Sequence, residues 1–199
     1  MQHPEWWLAI GATIIVMLLV LFSKVQRYMR VTAEDRKIKR IVLKTAVQYM
    51  PNIELPDEVE GAVHVDYLML MPGGIVVVDV LNCRGILFGA DKMDTWSQLV
   101  GRKSYKFENP LPYNQTRVQS IKLLVDPKVP VEGRVVFSSA GKFPKGVPEG
   151  VSMIDTLQDD LAHLAVYGEV PQLIKDAWEK LRSRATFLTP VRARGKDLF

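Results

Sequence analysis

The sequence predicts an α/β domain, with a central mixed sheet flanked by helices, preceded by a single membrane-spanning helix. Three observations carry that prediction. Residues 61–89 read GAVHVDYLMLMPGGIVVVDVLNCRGILFG, β-branched and apolar runs punctuated by glycine-bearing turns. Segments on either side place apolar residues at helical spacing. Near the start, WWLAIGATIIVMLLVLF holds seventeen residues without a charge. The boundaries that follow are 1–30 for an anchor with a basic juxtamembrane segment, 31–188 for a cytoplasmic domain and 189–199 for a basic tail.

The uncharged run covers residues 6–22, about 25 Å at helical rise, and flanking residues extend it towards the roughly 30 Å hydrocarbon core of a bilayer. Trp6 and Trp7 suit one interface, and Lys24, Arg27 and Arg30 follow the other end. No Lys or Arg precedes the run. The positive-inside rule therefore expects a single-pass protein of the inner (plasma) membrane, with its N-terminus outside and the rest in the cytoplasm. A cleaved signal peptide would want basic residues before the run and a small-x-small site after it, and neither is present. A buried soluble helix would show a polar face, and none interrupts the run.

A length of 199 residues leaves room for one ordinary domain beyond this anchor. Formal charge +4 and a pI near 9.1 suit an anionic partner without naming one. The single cysteine, Cys83, excludes an internal disulfide and any cysteine-rich zinc site. No Walker loop, dinucleotide fingerprint or Ser-His-Asp arrangement is visible, which argues against nucleotide hydrolysis, redox and acyl transfer.

Thr32-Ala33-Glu34-Asp35 reads as a helix start, with Thr32 as N-cap and Asp35 its capping-box partner. The helix should run to about Tyr49, where Pro51 stops it. Ile38, Ile41, Val42, Thr45 and Tyr49 form its apolar stripe, and the basic remainder suits anionic headgroups. Glu34, four residues before Ile38, leans towards the stripe. It is either a member of an acidic cluster or a first-turn acid favoured by the helix dipole. In the hairpin, a turn at residues 71–74 makes Leu70 face Ile75 and, counting back, Asp66 face Asp79. Like charges directly opposite repel, and a carboxylate among Val, Leu and Ile is costly to desolvate. A divalent cation, a shared proton or cationic side chains from elsewhere would offset that cost. Otherwise one acid ends its strand in water, or a three-residue loop sends the two to opposite faces.

Asn82 to Gly85 reads as a second turn leading into a short strand at 86–88, and 90–106 has room for a further hairpin carrying Trp96 and Tyr105. Asn109-Pro110-Leu111-Pro112 reads as a loop. Asn114 then caps a helix to Val125 with Val118, Ile121, Leu124 and Val125 as its stripe, and Gln115 lies in its first turn. Further on, 134–138 reads as a buried strand, 151–154 as an edge strand, and 156–166 and 171–187 as helices. His163 has no ligand-spaced partner and reads as a helix-surface residue.

Taken together, the acid-bearing helix, Val65-Asp66-Tyr67, Asp79-Val80-Leu81-Asn82, Trp96, Asn109-Pro110 and Asn114-Gln115 occur in an order that resembles the nuclease-related domain (NERD) family. That family is a branch of the PD-(D/E)XK restriction-endonuclease-like superfamily, and the likeness covers roughly residues 33–140. It implies a restriction-endonuclease-like fold and a site of Glu34, Asp66, Asp79 and Gln115, with Mg²⁺ held by Asp66 and Asp79 if the chain is active. The superfamily lysine that helps to activate water is replaced by Leu81. A lysine or arginine relocated from Lys92, Lys103, Lys106 or Arg84 would have to substitute. Two functions follow as expectations. One is a module that binds nucleic acid or a protein partner at the membrane through a degenerate site. The other is a metal-dependent DNA or RNA phosphodiesterase with a relocated lysine. A third reading makes the chain a purely structural membrane protein.

Overall fold

The computed structural model describes residues 6–57, 61–166 and 168–188, and the chain divides into two compact units, Met1–Lys37 and Ile38–Phe199. One helix, α1 (Trp6–Thr45), runs without a break. No proline or glycine falls between residues 23 and 45, so nothing interrupts the backbone ladder there. The N-cap expected at Thr32 is consequently replaced by continuous helix. Ile10, Ile14 and residues 16–22 are exposed along it. Among the described residues, however, no helix is long and apolar enough to cross a membrane. The expected span is thus seen as helix, and the crossing itself gains no support.

In the second unit, β1 (Gln48–Asp57), β2 (Gly61–Met71) and β3 (Gly74–Leu81) form an antiparallel ladder. The turn is the anticipated one, since Leu70 pairs with Ile75 and Met71 with Gly74. β1 corrects the expectation of a helix to Tyr49 stopped by Pro51: the helix ends at Thr45 and Pro51 sits inside the strand. After β3 the chain leaves to build a second sheet. Its strands are β4 (Gly85–Phe88), β5 (Thr95–Val100) and β6 (Lys103–Glu108), and β8 (Gly141–Lys142) later joins β4 in parallel. It returns through α2 (Pro110–Leu124) to lay β7 (Val131–Phe137) parallel to β3. That excursion is the long crossover a parallel pair requires. Two short strands complete the first sheet, β9 (Val151–Met153) beside β7 and β10 (Thr186–Phe187) beside β1. The orders are β10-β1-β2-β3-β7-β9 and β6-β5-β4-β8. The expected single mixed sheet is therefore two mixed sheets, with helices against the larger.

Alternation along β2 and β3 sorts the core into layers. On one face Leu68, Leu70, Ile75 and Val77 pack against α2 and against α5 (Gln172–Arg184), whose Trp178 and Leu181 are almost wholly enclosed. On the other, Met69, Met71, Val76 and Val78 meet Ile38 and Val42 together with Leu157, Leu161 and Leu164. Those leucines lie on and between α3 (Leu157–Asp160) and α4 (Ala162–Ala165), two short helices where one was expected. α5 is likewise shorter than expected, because Ala185 is extended and Phe187 pairs with Ile53 of β1. A third cluster, including Leu81, Leu87, Trp96, Phe107 and Phe137, joins the two sheets. The basic tail expected after residue 188 lies outside the described residues.

On α1, burial and then the negative charge of neighbouring Glu34 hold the Asp35 carboxyl above its usual value of 3.8. A carboxyl whose pKa is raised by folding stabilises the fold while protonated, and that contribution is lost as pH rises through the raised value. Asp35→Asn should therefore melt at a higher temperature than the wild type at pH 7. Thermal unfolding followed by circular dichroism should show the gap closing as pH falls through the raised value, and closed below about 3.8.

Candidate functional site

The site is assembled where α2 crosses β3, and Asn109 sets its position. The Asn109 side chain accepts the Leu111 N–H (3.0 Å), its amide donates to the Asp91 carbonyl (3.0 Å), and its own N–H donates to Asp94 (2.8 Å). The Asn-Pro pair, expected in a loop, is thus the N-cap and first residue of α2. Proline's missing N–H costs nothing in a first helical turn. Asn114 consequently lies one turn inside the helix, buried, and is not the N-cap.

From that position Asn114 donates to the Val77 carbonyl (3.2 Å) and to Asp79 Oδ2 (3.0 Å). Arg117, three residues on along the same helix face, donates from Nη1 to Asp79 Oδ2 (3.0 Å) and from Nε to the His64 carbonyl (2.7 Å). The Arg117 and Asp79 side chains are 20% and 13% exposed, so the pair is well sheltered from water. Such charge-assisted hydrogen bonds are about twice as strong as neutral ones. Gly133 of β7 makes the approach possible, because a Cβ there would stand 1.9 Å from Asn114 Oδ1. Asp79 itself sits at a seam. Val77 belongs to the cluster under α2, and Leu81 to the cluster between the sheets.

Asp66 is handled differently. The β2–β3 ladder runs to Tyr67–Val78, and one rung further would set Asp66 against Asp79 as the sequence suggested. There the regular pairing gives way, and the Val80 N–H donates to Asp66 Oδ2 (2.8 Å), the carboxylate standing in for a backbone carbonyl. The cause is a kink shared with β1. Met50 and Ile53, and across from them Val65 and Leu68, face the same core, three residues apart where two is the strand period. Asn52, between them, has φ 48°, a left-handed conformation asparagine tolerates better than most residues. Its side chain bonds His64 Nε2 (2.8 Å) and the Leu188 carbonyl (3.2 Å), while His64 Nδ1 lies 3.8 Å from Asp66 Oδ1.

Of the four expected catalytic residues, Asp66 and Asp79 meet at the end of one ladder. Gln115 is exposed on α2 beside Asn114, and Glu34 belongs to the first unit. As the side chains are placed, Oδ2 of neither acid is left for the Mg²⁺ that the family resemblance implied. The guanidinium of Arg117 and the amide of Asn114 converge on Asp79 Oδ2, where a bridging cation would bind, and Asp66 Oδ2 is given to the backbone. Among the described residues no three or more His, Cys, Asp or Glu side chains group as a metal site. Leu81 is buried in the apolar cluster between the sheets. The proposed stand-ins Arg84, Lys92, Lys103 and Lys106 are exposed on or beside the second sheet. Among the described residues a cation that does reach Asp79 is Arg117, a residue not among those expected from the sequence. Its signal was its place with Asn114 on the sheet-facing side of the stripe formed by Val118 and Ile121.

A mixed sheet with two acids gathered towards the end of its parallel pair, roofed by a helix with an Asn-Pro cap, defines a nuclease-like α/β protein. Residues 32–138, more than half of the chain, match the nuclease-related domain (NERD), and the chain belongs to that family. It is 24% identical over 130 residues to an uncharacterized protein of Bacillus anthracis, a match covering 62% of this chain and 61% of that relative. The chain thus spans about three-fifths of the length of the curated relative it matches. No solved structure matches it significantly.

Two pairs of substitutions test this geometry. Gly133→Ala should destabilise the fold by about 1–3 kcal/mol, the usual cost of overpacking. Combined with Asn114→Ala it should cost less than the sum of the two, because the second change removes the closest clash and leaves only Val118 Cγ2 at 2.8 Å. Arg117→Met should cost about 1–3 kcal/mol by leaving Asp79 without its strongest donor, and Asp79→Asn in the same chain should recover part of the loss. Both are read from urea unfolding midpoints.

Proposed function

We propose that this NERD-family chain is a non-cleaving module that binds nucleic acid at a membrane, its nuclease-like site closed by an internal cation. The observation that carries the reading is Arg117, with Asn114, on Asp79 Oδ2. Nucleases of this superfamily need that carboxylate to hold a metal, and a guanidinium there satisfies the charge permanently. Burial of Leu81 removes the second ingredient, a cation to orient the attacking water. The fold and its phosphate-seeking basicity remain, with formal charge +4. Tethering is supported by the exposed apolar side chains of residues 16–22, followed by Lys24, Arg27 and Arg30.

The test uses the full chain in detergent micelles with labelled DNA and RNA. Binding should weaken steeply as salt rises, as phosphate contacts require, and Mg²⁺ or Mn²⁺ should yield no cleavage. Metal-dependent cleavage abolished by Asp79→Ala would overturn the reading in favour of an active enzyme. Absence of binding at low salt would overturn it in favour of a protein partner.

A further inference from the structure

The second sheet has an outer face that the site does not use. Its inner face is closed: Leu87, Trp96 and Phe107 are buried against Phe137 of the first sheet. Because side chains alternate and paired residues share a face, the register assigns the other side. One row runs Phe88, Ser97, Lys106 across β4, β5 and β6, and the next runs Lys142, Ile86, Leu99, Ser104 from β8 to β6. Ile86 is 38% exposed and Phe88 half-buried. The ammonium group of Lys145 lies 6.0 Å from the centre of the Phe88 ring. Strands about 4.8 Å apart place Lys106 about 10 Å from Phe88 on one side, and Lys142 lies beside Ile86 on the other. At the far end of the face Glu108, opposite Thr95, is engaged by the Tyr113 hydroxyl.

An aromatic ring on an open sheet, with a cation above it and one to either side, is complementary to a polyanion that carries flat rings. A duplex hides its base faces in its own stack, whereas a single strand offers them. Base–aromatic stacking combined with phosphate contacts is how sheet surfaces hold unpaired strands. We propose that the outer face of the four-stranded sheet binds single-stranded nucleic acid, with a base taking the place of the Lys145 ammonium over Phe88 and phosphates on Lys106, Lys142 and the displaced Lys145. This rests on the nucleic-acid reading above and adds the surface and the strandedness.

Fluorescence anisotropy of the full chain, with labelled oligo-dT and with a duplex of equal length, tests it. Phe88→Ala should weaken oligo-dT binding by about 5- to 150-fold, the range that loss of one stacked base brings, and leave duplex binding unchanged. Phe88→Trp should retain oligo-dT affinity, which separates lost stacking from a disturbed sheet. Reversing Lys106, Lys142 and Lys145 to Glu should flatten the salt dependence. If the alanine and triple variants bind oligo-dT as tightly as the wild type, the surface assignment is overturned while the nucleic-acid reading stands. If the wild type binds no nucleic acid at low salt, both fall together.

Discussion

A carboxylate planted on the inner face of a sheet must be answered by positive charge, and here the answer comes from the roof. Arg117 and Asn114 reach down from α2 to one oxygen of Asp79, so the acid fixes the helix and the helix neutralises the acid. Everything near the site conforms to that contact. Gly133 is bare because Asn114 occupies the space. The second bond of Arg117, to His64 of β2, ties three elements to one guanidinium. Were the charge met by a bound ion instead, α2 would have no electrostatic reason to sit so low.

The hairpin was legible because its turn is marked without ambiguity by Pro72-Gly73-Gly74 and its strands by unbroken apolar runs. Leu70 and Ile75 pair as read. The strand at residues 134–138 and the hairpin around Trp96 were legible for the same reason. What failed was punctuation. Pro51, expected to stop a helix, lies in β1, and Pro110, expected in a loop, opens a helix. The second error hid the site. Starting α2 at Asn114 makes Arg117 a first-turn residue with free choice of solvent. Starting it at Asn109 buries Asn114 and turns Arg117 towards the sheet. Its partner is 38 residues away in sequence, so no local pattern names it.

Asp66 shows how a correct register can still misdirect. Counting along the strands places it opposite Asp79, but the ladder ends one rung short, at Tyr67–Val78, beside the kink at Asn52. Two strands lose their alternation together, and the carboxylate swings to a backbone N–H. The outcome is two neighbouring acids with separate hydrogen-bond donors, Val80 N–H for Asp66 and Arg117 with Asn114 for Asp79. Family membership by residues 32–138 then describes descent of the scaffold, and the chemistry follows from which donors this chain supplies.

The outermost strands of the larger sheet, Thr186–Phe187 and Val151–Met153, are two and three residues long. An exposed ladder edge is a template on which a stranger's backbone can add itself, and each of these two strands presents few free amides and carbonyls of its own. Short outermost strands are one of the means by which sheets resist edge-to-edge growth between copies.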